Sequence, residues 1–373
     1  MGAQEVAELV SALVAIDSVN PDLVPGGAGE EQVAAYVAEW MRDAGLDVEI
    51  DEAAPGRPSV VGIARGSGGG RSLMLNGHLD TVGVEGMERP FEPVVRDGRL
   101  YARGGYDMKA GVAACMLAAK RLASDDLAGD VIVAAVADEE YASIGTQSVL
   151  KRWRADAAIV TEPTALRVCV AHKGFVWAEL ETAGRAAHGS RPAEGVDAIT
   201  RMAPALERLA ALQGELGARA GHDLVGPGSV HASLIEGGQE LSSYPARCVL
   251  SLERRTEPGE DVDVVRRECE TLVEGIEDAR VRIGLVRPPF SVDPDADVVR
   301  IVARAAERVT GSPAELYGES YWMDAALIQA AGIPTVVFGP GGEGAHSVDE
   351  WVDLASVEAC AEGLVASAHE FCA

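Results

Sequence analysis

The sequence predicts an α/β fold: a mostly parallel sheet with helices on both faces, carrying a smaller α+β insert. Three observations predict it. Residues 130–137 and 157–160 are continuous apolar runs, the mark of strands buried on both faces. Segments with helical spacing alternate with such runs, and that alternation builds largely parallel sheets. From Gly174 the texture changes to strands of alternating polarity, and it changes back after Pro288-Pro289. The 373 residues therefore divide into 1–173, an insert at 174–287, and 288–373, where the first domain resumes.

Residues 3–15 have helical spacing, and 30–44 form a second amphipathic helix stopped by Gly45. A Pro- and Gly-rich loop, 20–29, separates them. Strands follow at 46–51, 59–64 and 72–75, with a Gly/Ser turn at 66–70. No Gly-Lys-Ser/Thr follows that turn, so it is a surface connection and not a phosphate loop. Residues 92–101 read as an irregular or hairpin segment, 109–123 as an Ala-rich helix and 144–153 as another helix. In the insert, the order is strand 175–182, helix 195–212, strands 229–236 and 246–255, helix 260–276 and strand 279–286. That β-α-β-β-α-β order is one ferredoxin-like unit. Helices at 297–309, near 322–331 and at 354–371, with a strand at 335–338, complete the first domain.

Hydrophobic residues make up 47% of the chain, enough for two cores, and aromatics only 5%, so the cores are aliphatic. The net charge of −27 argues against nucleic acid or an anionic membrane surface as a partner. The first residues, Met-Gly-Ala-Gln-Glu-Val, do not read as a signal peptide, and no apolar run is long enough to span a bilayer. The six cysteines (115, 169, 248, 269, 360 and 372) show no Cys-x-x-Cys pairing and sit mostly in apolar company. Together these features point to a reducing cytoplasm.

Four short pieces close or follow apolar runs: 75–81 with His78 and Asp80, 104–109 with Asp107, Asp138-Glu139-Glu140, and Glu162-Pro163. A parallel sheet brings such strand ends together. One histidine and several carboxylates converging there suit a hard-to-borderline divalent cation, and zinc takes such ligands readily. Asp107, midway in the series, can bridge two metals. His346 adds a further candidate almost two hundred residues later. In an extended strand, residues two apart share a face, so Asp80 is expected to hydrogen-bond one ring nitrogen of His78 and leave the other for metal. Each piece also has a plain structural reading: Asp80 as a strand-end cap, Asp107 as a helix N-cap, 138–140 as a solvated acidic loop, Glu162 as an exposed turn, His346 and His188 as loop histidines.

As a set, these pieces resemble the zinc-dependent amidohydrolase and metallopeptidase family of acetylornithine deacetylase, succinyl-diaminopimelate desuccinylase, aminoacylase and carboxypeptidase G. The resemblance spans nearly the whole chain, in order. It rests on Gly77-His78-Leu79-Asp80-Thr81-Val82, on Gly104 through Gly111, on Asp138-Glu139-Glu140, on Glu162-Pro163-Thr164, on His188-Gly189-Ser190-Arg191-Pro192 and on Gly339-Pro340-Gly341 leading to His346. Tyr106 stands where a small residue is common and Ala110 where Gly is usual; neither is a ligand.

The resemblance implies a zinc exopeptidase-like catalytic domain and an inserted lid or dimerisation domain. It implies two zinc ions, one held by His78, Asp107 and Glu162, the other by Asp107, Glu140 and His346; the mixed donor set also admits cobalt or manganese. The bridging residue, Asp107, is followed in the family by a cis peptide bond. Glu139 is implied as the general base acting on the water between the metals, with Asp80 beside the centre. His188 is implied to stabilise the tetrahedral oxyanion, often from the partner subunit of a homodimer. Arg255 matches the family arginine that grips a substrate carboxylate, and Arg254, on the other face of the same strand, competes for that task.

The expected substrate is a small N-acyl amino acid. Glu162-Pro163-Thr164 followed by Ala171-His172-Lys173-Gly174 leans toward the acetylornithine deacetylase branch. Dipeptidase or carboxypeptidase action on a short peptide, and desuccinylase-like action, are the alternatives. A non-catalytic binding protein of this fold would lack Glu139 or a ligand, and none is missing.

Overall fold

The computed structural model describes residues 2–373, folded as two compact units. The first unit comprises Met1–Val170, Val292–Tyr317 and Met323–Ala373; the second comprises Ala171–Ser291 and Gly318–Trp322. The second unit therefore extends past both expected limits of the insert and takes in a short later segment.

In chain order the first unit opens with α1 (Ala3–Val14), α2 (Glu31–Asp43), β1 (Asp47–Ala54), β2 (Arg57–Ala64), β3 (Leu73–His78), β4 (Val94–Arg96) and β5 (Arg99–Tyr101). A single wide helical turn, Gly105–Lys109, leads into α3 (Ala110–Leu122), followed by β6 (Val131–Val136), α4 (Ile144–Arg152), β7 (Ala157–Val160) and β8 (Val168–His172). The second unit follows with β9 (Gly174–Ala183), α5 (Ala198–Gly217), β10 (Ser229–Gly237), β11 (Arg247–Thr256), α6 (Val262–Val273), β12 (Ala279–Arg287) and β13 (Phe290–Ser291). The chain ends with α7 (Asp297–Thr310), β14 (Leu316–Glu319), α8 (Ala325–Ala330), β15 (Thr335–Val337), β16 (Gly342–Glu343), β17 (Trp351–Asp353) and α9 (Leu354–Phe371).

The first unit's sheet runs β1-β2-β6-β3-β7-β15-β8. Its centre, β6-β3-β7-β15, is parallel, and the strands on either side of it are antiparallel. All six residues of β3 and of β6, and all four of β7, are buried, which is why they read as unbroken apolar runs. Helix α3 is buried nearly all round, from Ala110 to Leu122. Gly111 lets it approach β7: a Cβ there would lie 2.2 Å from the Thr161 carbonyl oxygen. The segment 92–101 resolves into the β4–β5 hairpin, and β17 pairs with β5, Trp351 opposite Tyr101.

The second unit's sheet runs β10-β11-β9-β12, antiparallel throughout. Along β9 every second residue is buried, so Val176, Ala178 and Leu180 meet Met202 and Leu209 of α5 and Val265, Cys269 and Leu272 of α6. Each helix starts on an aspartate: Asp197 accepts from Ile199 N and Thr200 N, and Asp261 from Asp263 N and Val264 N. The strands that the sequence did not announce (β8, β13, β14, β16 and β17) are two to five residues long. They exist through pairing with distant partners, not through local pattern. Among the described residues no helix is long and apolar enough to cross a membrane, and all six cysteines are free and buried.

Candidate metal centre

Three neighbouring parallel strands supply the centre. Strand β3 lies between β6 and β7, with His78 opposite Val136 and Asn76 opposite Val160. The three chains therefore leave the sheet at one edge, and the next residues there are His78 itself, Asp138-Glu139-Glu140 and Glu162. Asp107 arrives from the turn after β5, and His346 from the loop of the β16–β17 hairpin.

His78 is 1% exposed, Asp80 is fully buried and Glu162 is 4% exposed. His78 Nε2 lies 3.2 Å from Asp107 Oδ1, 3.7 Å from Glu162 Oε1 and 3.9 Å from Glu139 Oε2. His346 Nε2 lies 3.3 Å from Asp107 Oδ2 and 3.1 Å from Glu140 Oε2. One carboxylate, Asp107, thus offers its two oxygens to two imidazoles. Its side chain caps no helix: α3 starts three residues later without a side-chain cap. The Asp107–Met108 peptide bond is cis. His346 has φ +61°, and the loop turns at Gly344 (φ +87°), where a Cβ would meet the Asp349 carbonyl oxygen at 2.6 Å.

Asp80 differs from its expected role. The His78 Nδ1 contact at 2.9 Å is to the Asp80 main-chain oxygen, while the carboxylate stands 3.6 Å away. Strand β3 ends at His78, so period-two geometry does not reach Asp80. A carbonyl oxygen only accepts, so Nδ1 carries a proton; Nε2 donates to Asp107 here, and a cation in that place would displace this proton and take the lone pair. The Asp80 carboxylate instead accepts from Glu139 N (3.0 Å), Glu140 N (3.1 Å) and Asn20 Nδ2 (2.7 Å). It holds the backbone of both adjacent glutamates.

The three acids after β6 do not share one fate. Asp138 turns back at φ +69° to meet Arg57 Nη2 (2.8 Å) and Asn20 Nδ2 (2.9 Å). Arg57 is further held by the buried Glu30, at 2.7 and 2.8 Å, and by Asp22. Glu139 and Glu140 face the cluster. Burial pushes Glu139 well above the usual carboxylate range, and the neighbouring Glu162 adds to the rise. Burial also raises Glu162 strongly, and Glu140 with it. Burial works the same way on Asp107, but the hydrogen bonds from His346 and His78 hold it below the usual range. His346 is pushed up to about 10 by its hydrogen bonds to Asp107 and Glu140; His78 is raised against the effect of its burial by Asp107 and Glu162.

This set fits a divalent cation. The donor atoms of His78, Glu139 and Glu162 lie within 4.8 Å of one another, as do those of His78, Asp107 and Glu140. Glu140 Oε1 is buried with no hydrogen-bond partner. A buried acceptor without a donor, among acids that burial strains toward neutrality, needs positive charge.

His188 and Arg255 belong to the second unit. His188 is exposed, in a bridge with Ser243; its Nδ1 accepts from Ser190 N at 3.2 Å and lies 2.8 Å from Ser190 Oγ. Arg254 and Arg255 do occupy opposite faces of β11. Arg254, 1% exposed, is committed to Glu260 (2.7 Å) and Glu268 (2.9 Å). Arg255 is 30% exposed, bonded to Glu253 at 2.7 Å, with its guanidinium 5.2 Å from the centre of the Phe175 ring.

Four residues near the centre had no local signal in the sequence: Asn20, Arg57, Asp324 and Glu350. Asp324 is buried, accepts from Thr146 Oγ1 at 2.5 Å and is pushed up to about 6 by burial. Each is recruited by long-range pairing; only Glu350, four residues after His346, stands near a residue that sequence reasoning had singled out.

Residues 74–370 match the model of peptidase family M20/M25/M40. The chain belongs to that family. Its members are hydrolases acting on amide bonds, and they depend on metal. Acetylornithine deacetylase of Erwinia tasmaniensis is 29% identical to this M20-family chain over 380 residues, covering 98% of it and 97% of the relative. N-formyl-4-amino-5-aminomethyl-2-methylpyrimidine deformylase of Halalkalibacterium halodurans is 28% identical, covering 99% and 95%. The crystal structure of an aminopeptidase from Bacillus cereus superposes with a TM-score of 0.81 at 22% identity, covering 100% of this chain and 99% of that one. The fold of this M20 member is thus that of solved metallopeptidases.

Proposed function

We propose that this protein hydrolyses the amide bond of a small N-acyl amino acid on a two-cation centre, with Glu139 as general base. The observation that carries this reading is the Asp107 carboxylate lying between His78 and His346, each with a further acid beside it. His78, Asp107 and Glu162 would hold one zinc ion, and Asp107, Glu140 and His346 the other; cobalt or manganese suits the same donors. Bound there, the metals supply an acidified water and polarise the scissile carbonyl. Glu139 takes the proton from the attacking water and delivers it to the leaving nitrogen. Asp80 acts through the backbone, fixing the amides of Glu139 and Glu140.

The His188 bonds favour the tautomer with a proton on Nε2, able to donate to a developing oxyanion. With Arg254 committed to its ion pairs, Arg255 is the arginine left for a substrate carboxylate. Both relatives, by their names, remove a small acyl group from nitrogen, which favours deacylation over peptide cleavage. A homodimer through the second unit is supported by its edges. Strand β10 exposes nearly every residue, Leu234 at 65% and Ile235 at 52% among them, and has no Lys or Pro to block pairing. The other edge, β12, carries Arg280, Arg282 and Arg287. Six free, buried thiols fit a reducing cytoplasm.

Metal content and hydrolysis of a panel of N-acyl amino acids, formamides and dipeptides, before and after chelation, test this reading. Activity should vanish with chelator and return with zinc, strongest on an N-acyl amino acid. A protein that takes up no metal would sink the proposal.

A further inference from the structure

Glu350 belongs neither to the ligand set nor to the shuttle, yet it has four donors around one buried carboxylate. Glu350 Oε1 accepts from Tyr106 N (2.8 Å) and Asp107 N (3.0 Å). Glu350 Oε2 accepts from Gly104 N (3.0 Å) and Arg103 Nη1 (2.6 Å). The residue is 1% exposed. Its position follows from strand register: Trp351 pairs with Tyr101, so the residue before β17 faces the residues after β5. Because β17 also pairs with β16, the loop between those strands carries His346, and Glu350 stands at the foot of that loop.

A single carboxylate therefore joins the chain that presents Asp107 to the chain that presents His346. Its three amide bonds fix where the Gly104–Asp107 turn sits, and the last of them is to the amide of Asp107 itself. We propose that Glu350 is a positioning residue for the shared carboxylate, setting the spacing between Asp107 and His346 and hence the affinity of the Asp107–Glu140–His346 set for its cation. The inference rests on the two-cation reading above. It assigns Glu350 no contact with substrate or metal.

The test is zinc binding to the chelator-stripped protein, followed by competition with a chromophoric chelator, alongside kinetics and thermal denaturation. Glu350→Gln keeps the length of the side chain and loses acceptors for the turn. Its expected signature is one zinc equivalent weakened ten-fold or more, the other, which shares Asp107 but not His346, weakened less. Turnover falls through kcat, with KM held. Arg103→Met removes the ion pair and leaves the amide bonds, so it should lower thermal stability while keeping both zinc steps. If Glu350→Gln does not fold, Glu350→Asp, which withdraws the carboxylate by one methylene, takes its place with the same expected signature. Two wild-type zinc steps in the Glu350 variant, or a loss no larger than that of Arg103→Met, overturn the inference while the two-cation reading stands. Fewer than two steps in the wild-type protein overturn both.

Discussion

At the scale of single residues, the centre turns on which groups hold protons. Glu139 is the carboxyl best placed to exchange one, raised by burial and by Glu162 beside it. Glu139→Gln should retain both metals and lose about 10²–10⁴-fold in turnover, the usual worth of a general base; near-normal kcat in the variant would remove Glu139 from that role. His346 makes the opposite case. With its pKa raised from 6.5 to about 10, it is protonated in the metal-free protein at neutral pH. A cation at that position must displace the proton. Calorimetric zinc titrations at pH 7.5 in buffers of different ionisation enthalpy should therefore report proton release, reduced in His346→Ala together with the metal content. The linkage to stability has a definite sign. A raised histidine stabilises the fold fully below its unfolded value of 6.5, and the contribution disappears as pH rises through about 10. The chelated protein should lose more thermal stability than the loaded one between those limits, and parallel curves would contradict the assignment.

At the scale of elements, the end of β6 is held in place from outside the sheet. Arg57, at the start of β2, joins Glu30 at the start of α2 to Asp138, and Asn20 joins Asp138 to Asp80. Arg57, Glu30, Asp138, Asn20 and Asp80 are all at least nine-tenths buried. Removing one partner from such a cluster leaves uncompensated buried charge, so Arg57→Met should cost about 3–5 kcal/mol in denaturant unfolding. A loss under about 1 kcal/mol, the scale of a surface pair, would show the cluster to be slack. Much of this layout was legible beforehand, for a physical reason. His78 ends a fully buried strand and Glu139, Glu140 and Glu162 follow others, and such strands announce themselves as apolar runs whose ends a parallel sheet gathers. The Arg57 cluster was not legible, because an arginine next to a strand gives no sign of which acid it will meet. Asp80 was misread for a related reason: the period of two applies within a strand, and β3 stops at His78. The β16–β17 hairpin, only two and three residues on its strands, exists through pairing with β5 and left no trace in local pattern.

At the scale of the whole molecule, the question is how many chains complete one site. Each copy carries a net charge of −27, so two copies repel, and added salt should strengthen any association by screening that repulsion. Pairing through β10 can be probed at its two most exposed apolar positions. Leu234→Lys with Ile235→Lys should yield a monomer by sedimentation, and an unchanged dimer would exclude that edge. The same variant addresses His188. If the histidine serves the partner's centre, the monomer keeps its metal and loses turnover. A mixed dimer decides the matter more directly, since it leaves the interface intact. One chain carries Glu139→Gln and the other His188→Ala. With His188 acting across the interface, the His188→Ala chain supplies an intact Glu139 and receives His188 from its partner, so one site in the mixed dimer is whole. Co-expressed chains should then regain up to half the wild-type rate per mixed dimer, while each homodimer stays impaired. If His188 serves its own chain, every site in the mixture lacks one of the two groups and no activity returns.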